Sequence, residues 1–368
     1  METTRLMMRK RAKVAVGLSG GVDSSVAAYI LKEKGYDVVG VTMEIYDGSI
    51  ALRDTDRHSC YGPGEKEEVE EAASICKRIG IPFHTVDLRR EYRRHVIDYV
   101  RSEYLAGRTP NPCVVCNNRI KFGFLLEKAG ESGIDFEFFA TGHYARIEKI
   151  KDRFLLKKAL DRSKDQTYFL YALSPEKLSR TLFPIGTYKK QQVKKIAGSL
   201  GFGPADRPES QDFIGGGNYS ILFKKEEAKE GDIIDETGNI LGKHRGIIHY
   251  TVGQRRGLGI ASDRPLYVTQ IDAKNNVIKV SNRENLFSKG LIAADINLIA
   301  VHRLDRPYQV QAKIRQQHTA SDATVFSYEN NKARVEFNEP QMSITPGQSV
   351  VLYTGDTVFG GGIIEQPL

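Results

Sequence analysis

The sequence predicts an α/β doubly wound parallel sheet followed by a region built from short β-strands. Three observations predict it. Apolar runs of strand length alternate with amphipathic helical stretches through the first third of the chain. A glycine-rich turn, Ser19-Gly20-Gly21-Val22-Asp23-Ser24-Ser25, lies between the first such run and the first helical stretch. After Gly203 the helical period fades, and strands separated by Gly, Asn and Asp take over.

Residues 13–18 form a short apolar run, as a buried parallel strand does. A helix is predicted over 22–34 and closed by Gly35, then a strand over 38–43. Residues 64–79 read as an acidic amphipathic helix, with Val69, Ala72, Ala73 and Cys76 at helical spacing. Strands over 83–88 and 136–141 and helices over 91–105 and 120–129 complete the alternation. Residues 145–158 form a hairpin turning at Lys151-Asp152, and 173–200 is predicted mostly helical. Strands over 267–280, 310–314, 333–337 and 349–352 point to a barrel or a sandwich. Gly215-Gly216-Gly217 is the expected linker, giving units of 1–214, 215–280 and 281–368.

Composition narrows the function. At 368 residues, 40% hydrophobic and 27% charged, the chain can bury a core without disulfides or metals. No run approaches the ~20 apolar residues of a membrane helix, and no apolar signal segment follows the basic start, so a cytoplasmic protein with no membrane partner is expected. A net charge of +8 favours a polyanionic partner. Four cysteines in this length are not a secreted disulfide framework and point to structural, catalytic or metal-binding roles.

The turn at residues 19–25 carries the first chemistry. Glycines let the backbone approach phosphate oxygens, and the following helix offers open N–H groups and a positive dipole end. Asp23 can hold Mg²⁺ or cap the helix, and Met43 ends the second strand, where an adenine ring would lie. No Gly-Lys-Ser/Thr closes the loop, and Gly-x-Gly-x-x-Gly is absent from it. The Ser-Gly-Gly-x-Asp-Ser form resembles the PP-loop of ATP pyrophosphatases of the adenine nucleotide alpha-hydrolase-like fold, which cleave ATP between the α and β phosphates.

The second is Gly107-Arg108-Thr109-Pro110-Asn111-Pro112-Cys113-Val114-Val115-Cys116-Asn117, a proline-stiffened loop entering a helix with Lys121-Phe122. With the helix dipole, Arg119 and Lys121 close by, Cys116 is expected to have a lowered pKa. A reactive thiol beside an acid-free surface suits sulfur transfer to RNA. The basic segment 243–260, with Arg255 and Arg256, is expected along an RNA backbone.

These motifs, together with Thr141-Gly142-His143-Tyr144, Lys164-Asp165-Gln166-Thr167-Tyr168-Phe169-Leu170, residues 251–260 and Pro346-Gly347-Gln348-Ser349, resemble the bacterial-type tRNA-specific 2-thiouridylase family almost end to end. The resemblance implies a PP-loop domain, a small central domain and a C-terminal β-barrel. It implies ATP and Mg²⁺ as cofactors, and tRNA and a sulfur-donor protein or sulfide source as partners. Gly17, Leu18, Ser19, Gly20, Gly21, Val22, Asp23, Ser24, Met43 and Gly142 would bind ATP. Cys116 would be the nucleophile that delivers sulfur. Asn111, Pro112 and Cys113 would face the target base. His143, Asp165, Gln166, Thr167, Arg315, Gln316 and Gln348 would contact tRNA.

The chain departs from the family in one place. Many members carry a second catalytic cysteine before a Phe-Ile-Gly-like run, where this chain has Asp212; many have Asp where this chain has Cys113. Two sulfur-handling schemes follow. In one, Cys113 replaces the missing partner thiol. In the other, Cys113, Cys116 and Asp212 hold an iron–sulfur cluster. Cys60 is a third candidate sulfur site, and Cys76 is expected in the core. The competing functions are another PP-loop adenylating enzyme, such as a tRNA lysidine synthetase, and a non-catalytic RNA-binding protein.

Overall fold

The computed structural model describes residues 12–50, 52, 59–202, 213–214 and 219–368. The first unit is a five-stranded parallel sheet of β1 (Lys13–Gly17), β2 (Asp37–Glu44), β3 (Phe83–Asp87), β4 (Phe138–Thr141) and β7 (Thr181–Leu182), in the order β3-β2-β1-β4-β7. The order reverses between β1 and β4, so the crevice for a ligand opens at their C-terminal ends. The run Val14, Ala15, Val16 is fully buried because helices cover both faces.

Helices α1 (Val22–Glu33) and α2 (Glu65–Ile79) lie close to their predicted bounds. Cys76 is buried in the cluster beneath them, and burial pushes its thiol up to about 12. The next helical run, α3 (Arg89–Tyr92) and α4 (Asp98–Leu105), is joined by a π-helical segment, Arg93–Ile97. A second composite helix joins α5 (Pro112–Val115) to α6 (Leu125–Glu131) through the π-helical segment Cys116–Phe124. It begins earlier than periodicity suggested, because Pro112 sits in its first turn behind the Asn111 cap.

The predicted helical stretch 173–200 is broken. It resolves into α7 (Pro175–Ser179), strand β7 and α8 (Lys190–Leu200). Parallel pairing of β7 with β4 overrides local preference there.

The hairpin is formed by β5 (Ala145–Ile150) and β6 (Arg153–Lys158), turning at Lys151-Asp152. It does not join the parallel sheet. It extends the C-terminal sheet, where Lys157 pairs with Thr357.

The middle unit is a four-stranded sheet of β8 (Gly231–Ile234), β9 (Ile240–His244), β10 (Tyr267–Asp272) and β11 (Val277–Ser281). The last unit contains β12 (Phe287–Leu298), β13 (Tyr308–Lys313), β14 (Ser321–Ser327), β15 (Ala333–Met342), β16 (Ser349–Thr354) and β17 (Thr357–Pro367). Pairing of β12 with β17 closes these six strands into a barrel, which settles the choice between barrel and sandwich. Alternate residues such as Val310, Ala312 and Ile314 fill its interior.

One hydrophobic cluster runs through all three units. It includes Val114, Ile120 and Phe139 of the first, Ile233, Val268 and Ile278 of the second, and Val351 and Tyr353 of the barrel. The cysteine loop lies where the three meet. Among the described residues, no helix is long and apolar enough to cross a membrane.

Candidate active site

The phosphate loop leaves β1 and enters α1 at the sheet's switch point. Its serines wrap the turn. Ser24 Oγ accepts from Ser19 N–H at 3.3 Å and donates to the Gly21 carbonyl at 3.1 Å, while Ser25 Oγ donates to the same carbonyl at 2.8 Å. The first helical bond runs from Ser25 N–H to the Gly21 carbonyl, so the N–H groups of Val22, Asp23 and Ser24 precede it at an anion-binding helix end. Gly142 follows β4 and packs on this turn. A Cβ there would lie 2.5 Å from Ser24 N and 2.7 Å from Asp23 C, which only glycine avoids. Gly17, Leu18 and Gly20 frame the same turn, and Met43 lies near the C-terminal end of the neighbouring β2.

Asp23 does not cap α1; Gly21 occupies the cap position. Its carboxylate accepts from Lys190 Nζ at 2.8 and 2.7 Å and from the Tyr144 hydroxyl at 2.9 Å. Lys190 opens α8 and was not singled out from the sequence. One signal was legible: α8 begins Lys189-Lys190, with no acidic residue in its first turn, against the helix dipole.

The cysteine helix is anchored beside this turn. Phe122 stacks edge-on to Phe139 of β4 at 5.3 Å and lies 6.2 Å from the His143 ring, one residue past Gly142. Cys116 opens the π-helical segment, an irregularity often found at functional sites. Its thiol differs from expectation: burial pushes it up to about 11, with Lys121 pulling the other way. Two physical reasons account for this. The helix starts at Pro112, so Cys116 lies beyond the first turn, where the dipole acts. Arg119 points to solvent, leaving Lys121 as the cation that reaches the thiol. Burial opposes the Lys121 charge, yet Cys116, Cys60 and Cys113 together hold its pKa above the ordinary value. His143 is pushed down to about 3 by burial and by Lys121, so its imidazole is neutral. Its Nδ1 pairs with Thr141 Oγ1 at 2.8 Å.

The barrel braces the cysteine loop. Gln348 Nε2 donates to the Thr109 and Pro110 carbonyls at 3.0 and 3.1 Å, and Thr109 N–H donates to the Pro346 carbonyl at 2.8 Å. Gly347, at φ +89°, lets the two backbones meet; a Cβ would sit 2.9 Å from Thr109 N. Thr109 Oγ1 also lies 3.2 Å from Thr251 Oγ1 of the middle unit. Asn111 Oδ1 accepts from Val114 N–H, with Pro112 and Cys113 in the helix's first turn.

A second group gathers at the hairpin and barrel. Gln166 Oε1 accepts from Tyr144 N–H at 2.8 Å, and Asp165 accepts from Ala159 N–H and the Thr167 hydroxyl. Gln316 Nε2 donates to the Asp165 carbonyl at 3.2 Å, while its Oε1 is buried with no partner among the described residues. Arg315 reaches the Met342 carbonyl. Arg255 and Arg256 are exposed in the loop before β10. Cys60 is exposed. Asp212 and the Gly215-Gly216-Gly217 linker lie outside the described residues. Among the described residues, no three His, Cys, Asp or Glu side chains converge to hold a metal.

A nucleotide loop at the switch point of a parallel sheet defines an α/β protein of the HUP class. Residues 12–215 match the family described as tRNA methyl transferase HUP domain, 220–282 its PRC-barrel domain, and 288–364 the aminomethyltransferase beta-barrel domain. The chain is 48% identical over 365 residues to a tRNA-specific 2-thiouridylase MnmA 2 of Thermoanaerobacter sp. (strain X514), covering 97% of this chain and 98% of the relative. It is 46% identical to tRNA-specific 2-thiouridylase MnmA of Acetivibrio thermocellus, covering 96% and 99%, and of Clostridioides difficile, covering 97% and 99%. The chain belongs to the tRNA-specific 2-thiouridylase family.

Proposed function

We propose that the protein is an ATP-dependent tRNA-uridine 2-sulfurtransferase. The observation that carries this is the packing of Phe122, on the Cys116 segment, beside His143, one residue past the Gly142 that touches the phosphate loop. Nucleotide chemistry and thiol chemistry therefore share one crevice. The uridine O2 attacks the α-phosphorus of ATP, and pyrophosphate leaves. The open N–H groups at α1 stabilise the phosphate charge. Adenylation turns a poor leaving group into AMP. Mg²⁺, when bound, neutralises phosphate charge, and Asp23 is the loop's one acidic side chain to hold it.

A sulfur-donor protein's persulfide passes its outer sulfur to Cys116 and leaves as a thiol; sulfide gives the same Cys116 persulfide by attacking Cys116 Sγ of the oxidised Cys113–Cys116 disulfide, with the Cys113 thiolate leaving. The persulfide attacks C2, and AMP departs. Cys113, one helical turn away, then attacks Cys116 Sγ; the S–S bond to the nucleobase breaks, leaving 2-thiouridine and a Cys113–Cys116 disulfide. A dithiol reductant resets the pair. The iron–sulfur alternative needs Asp212 as third ligand. The described residues supply no complete ligand set, so no step is routed through a cluster. Asn111, Pro112, His143, Asp165, Gln166, Thr167, Arg315, Gln316, Gln348, Arg255 and Arg256 are assigned to tRNA. The buried, unpartnered Gln316 Oε1 supports that assignment.

Mass spectrometry of tRNA after incubation with ATP, Mg²⁺ and a sulfide source tests the proposal. A mass gain for oxygen replaced by sulfur is expected, and its loss in Cys116→Ser. With lysine supplied, a mass gain for added lysine that is undiminished in Cys116→Ser would instead favour the lysidine synthetase-like reading. Iron-free protein, purified anaerobically and still active, would exclude the cluster.

A further inference from the structure

Polyphosphate carries more charge than backbone N–H groups neutralise, and this loop carries no cation of its own. From Gly17 to Ser25 there is no Lys or Arg, unlike loops that end in Gly-Lys-Ser/Thr. An ammonium reaches it from α8, which packs on α1. Lys190 and Asp23 are 167 positions apart, yet Nζ lies 2.8 and 2.7 Å from the two Asp23 oxygens.

The backbone of Lys190 is held in place. Its N–H donates to Asp161 Oδ2 at 2.9 Å. The preceding Lys189 N–H donates to Gln192 Oε1 at 2.8 Å, locking the start of α8. Val193 and Ala197 bury that helix against α1. The four-carbon stem runs beside Tyr144, whose ring centroid lies 5.7 Å from Nζ. Asp23, in turn, sits in the first turn of α1, among the open N–H groups. An oxyanion at that helix end would therefore be within one side-chain rotation of Lys190.

The pair is a poor stability device. The side chains are 13% and 27% exposed, and ion pairs in partial contact with water contribute little. It is a better electrostatic device. With nucleotide absent, Lys190 cancels the one negative charge in the loop. With nucleotide and Mg²⁺ present, Asp23 has a stronger cationic partner and the ammonium has a stronger anionic one.

We propose that Lys190 exchanges its partner when ATP arrives: it leaves Asp23, which turns to the metal, and binds the phosphate oxygens that depart as pyrophosphate. This rests on the ATP-cleaving role proposed above, and it adds a catalytic residue to that role. It requires no new bond and no oxidant or reductant.

The test compares the wild-type chain with Lys190→Met, Asp23→Asn and the double variant, with Lys190→Arg as the conservative control. ATP affinity is measured by equilibrium binding with and without Mg²⁺, and tRNA-dependent pyrophosphate release is measured alongside. If Lys190 binds phosphate, Lys190→Met weakens ATP binding and slows pyrophosphate release by about tenfold to a hundredfold, the usual loss for a charge-assisted hydrogen bond. Lys190→Arg then recovers part of both. The double variant binds no better than Lys190→Met, because removing Asp23 does not replace the lost cation. If Lys190 only neutralises Asp23, the double variant regains wild-type affinity, and the proposal is overturned. Lys190→Gln, which keeps a hydrogen-bond donor, repeats the comparison should Lys190→Met fail to fold. Wild type that binds ATP but releases no pyrophosphate would sink the ATP-cleaving role instead, while the affinity comparison still reads Lys190.

Discussion

At the scale of single residues, the thiol and the imidazole beside it are set by burial. With a pKa of about 11, Cys116 is protonated at neutral pH and weakly nucleophilic until it carries sulfur. Alkylation of Cys116, followed by peptide mass spectrometry, should therefore run roughly a hundredfold slower at pH 8 than that of a free thiol. The rate should climb until pH passes about 11; a plateau near pH 8 would contradict the burial argument. His143 works in the opposite sense. Its folded pKa, about 3, lies below the unfolded value near 6.5, so the unfolded chain binds the extra proton between them. Stability from this group is present above pH 6.5 and is lost as pH falls toward 3. A melting series over that range should be shallower for His143→Gln than for wild type. Cys116 was legible in the sequence, but its helix was expected only from residue 120, although Pro112 behind the Asn111 cap marks the earlier start. The thiol's pKa was not, because depth of burial depends on residues far along the chain.

At the scale of elements, the contact between the end of β4 and the start of α1 admits no side chain. Gly142→Ala places a Cβ against fixed backbone, so one of the two elements must move. ATP binding should weaken by about tenfold or more while the barrel's fold persists, as read by nucleotide titration and circular dichroism. The alternation of β1, α1, β2, α2 and β3 was legible because each strand is a continuous apolar run and each helix has a clear stop, such as Gly35 or Gly80. The π-helical segments were not, since an extra residue in a turn leaves the apolar spacing almost unchanged. Nor was β7, a two-residue strand created by its neighbour β4. Lys190 escaped for a related reason: its partner is set by the packing of α8 on α1, and no local motif records it.

At the scale of the whole molecule, the three units act as one frame around the cysteine loop. Gln348, on the barrel, holds two carbonyls of that loop. Gln348→Ala should loosen the loop and raise the alkylation rate of Cys116 several-fold without changing ATP affinity. An unchanged alkylation rate would show that the brace is dispensable. The net charge of +8 predicts tRNA affinity that falls steeply and linearly on a log scale with salt. The change to strand-rich character after Gly203 was visible from the sequence, and so was the hairpin turn at Lys151-Asp152. The hairpin's destination was not, because strand partners so distant in sequence leave no local trace.

That hairpin carries a consequence for synthesis on the ribosome. The final strand, Thr357–Pro367, both closes the barrel on β12 and receives β6 from the first unit. Its neighbour Gln348 reaches back to Thr109 and Pro110. A chain lacking Gln348 and the strands after it would keep its phosphate loop but would have an open barrel and an unbraced cysteine loop. During synthesis the cysteine loop is therefore braced only after the barrel has emerged and folded against the first unit.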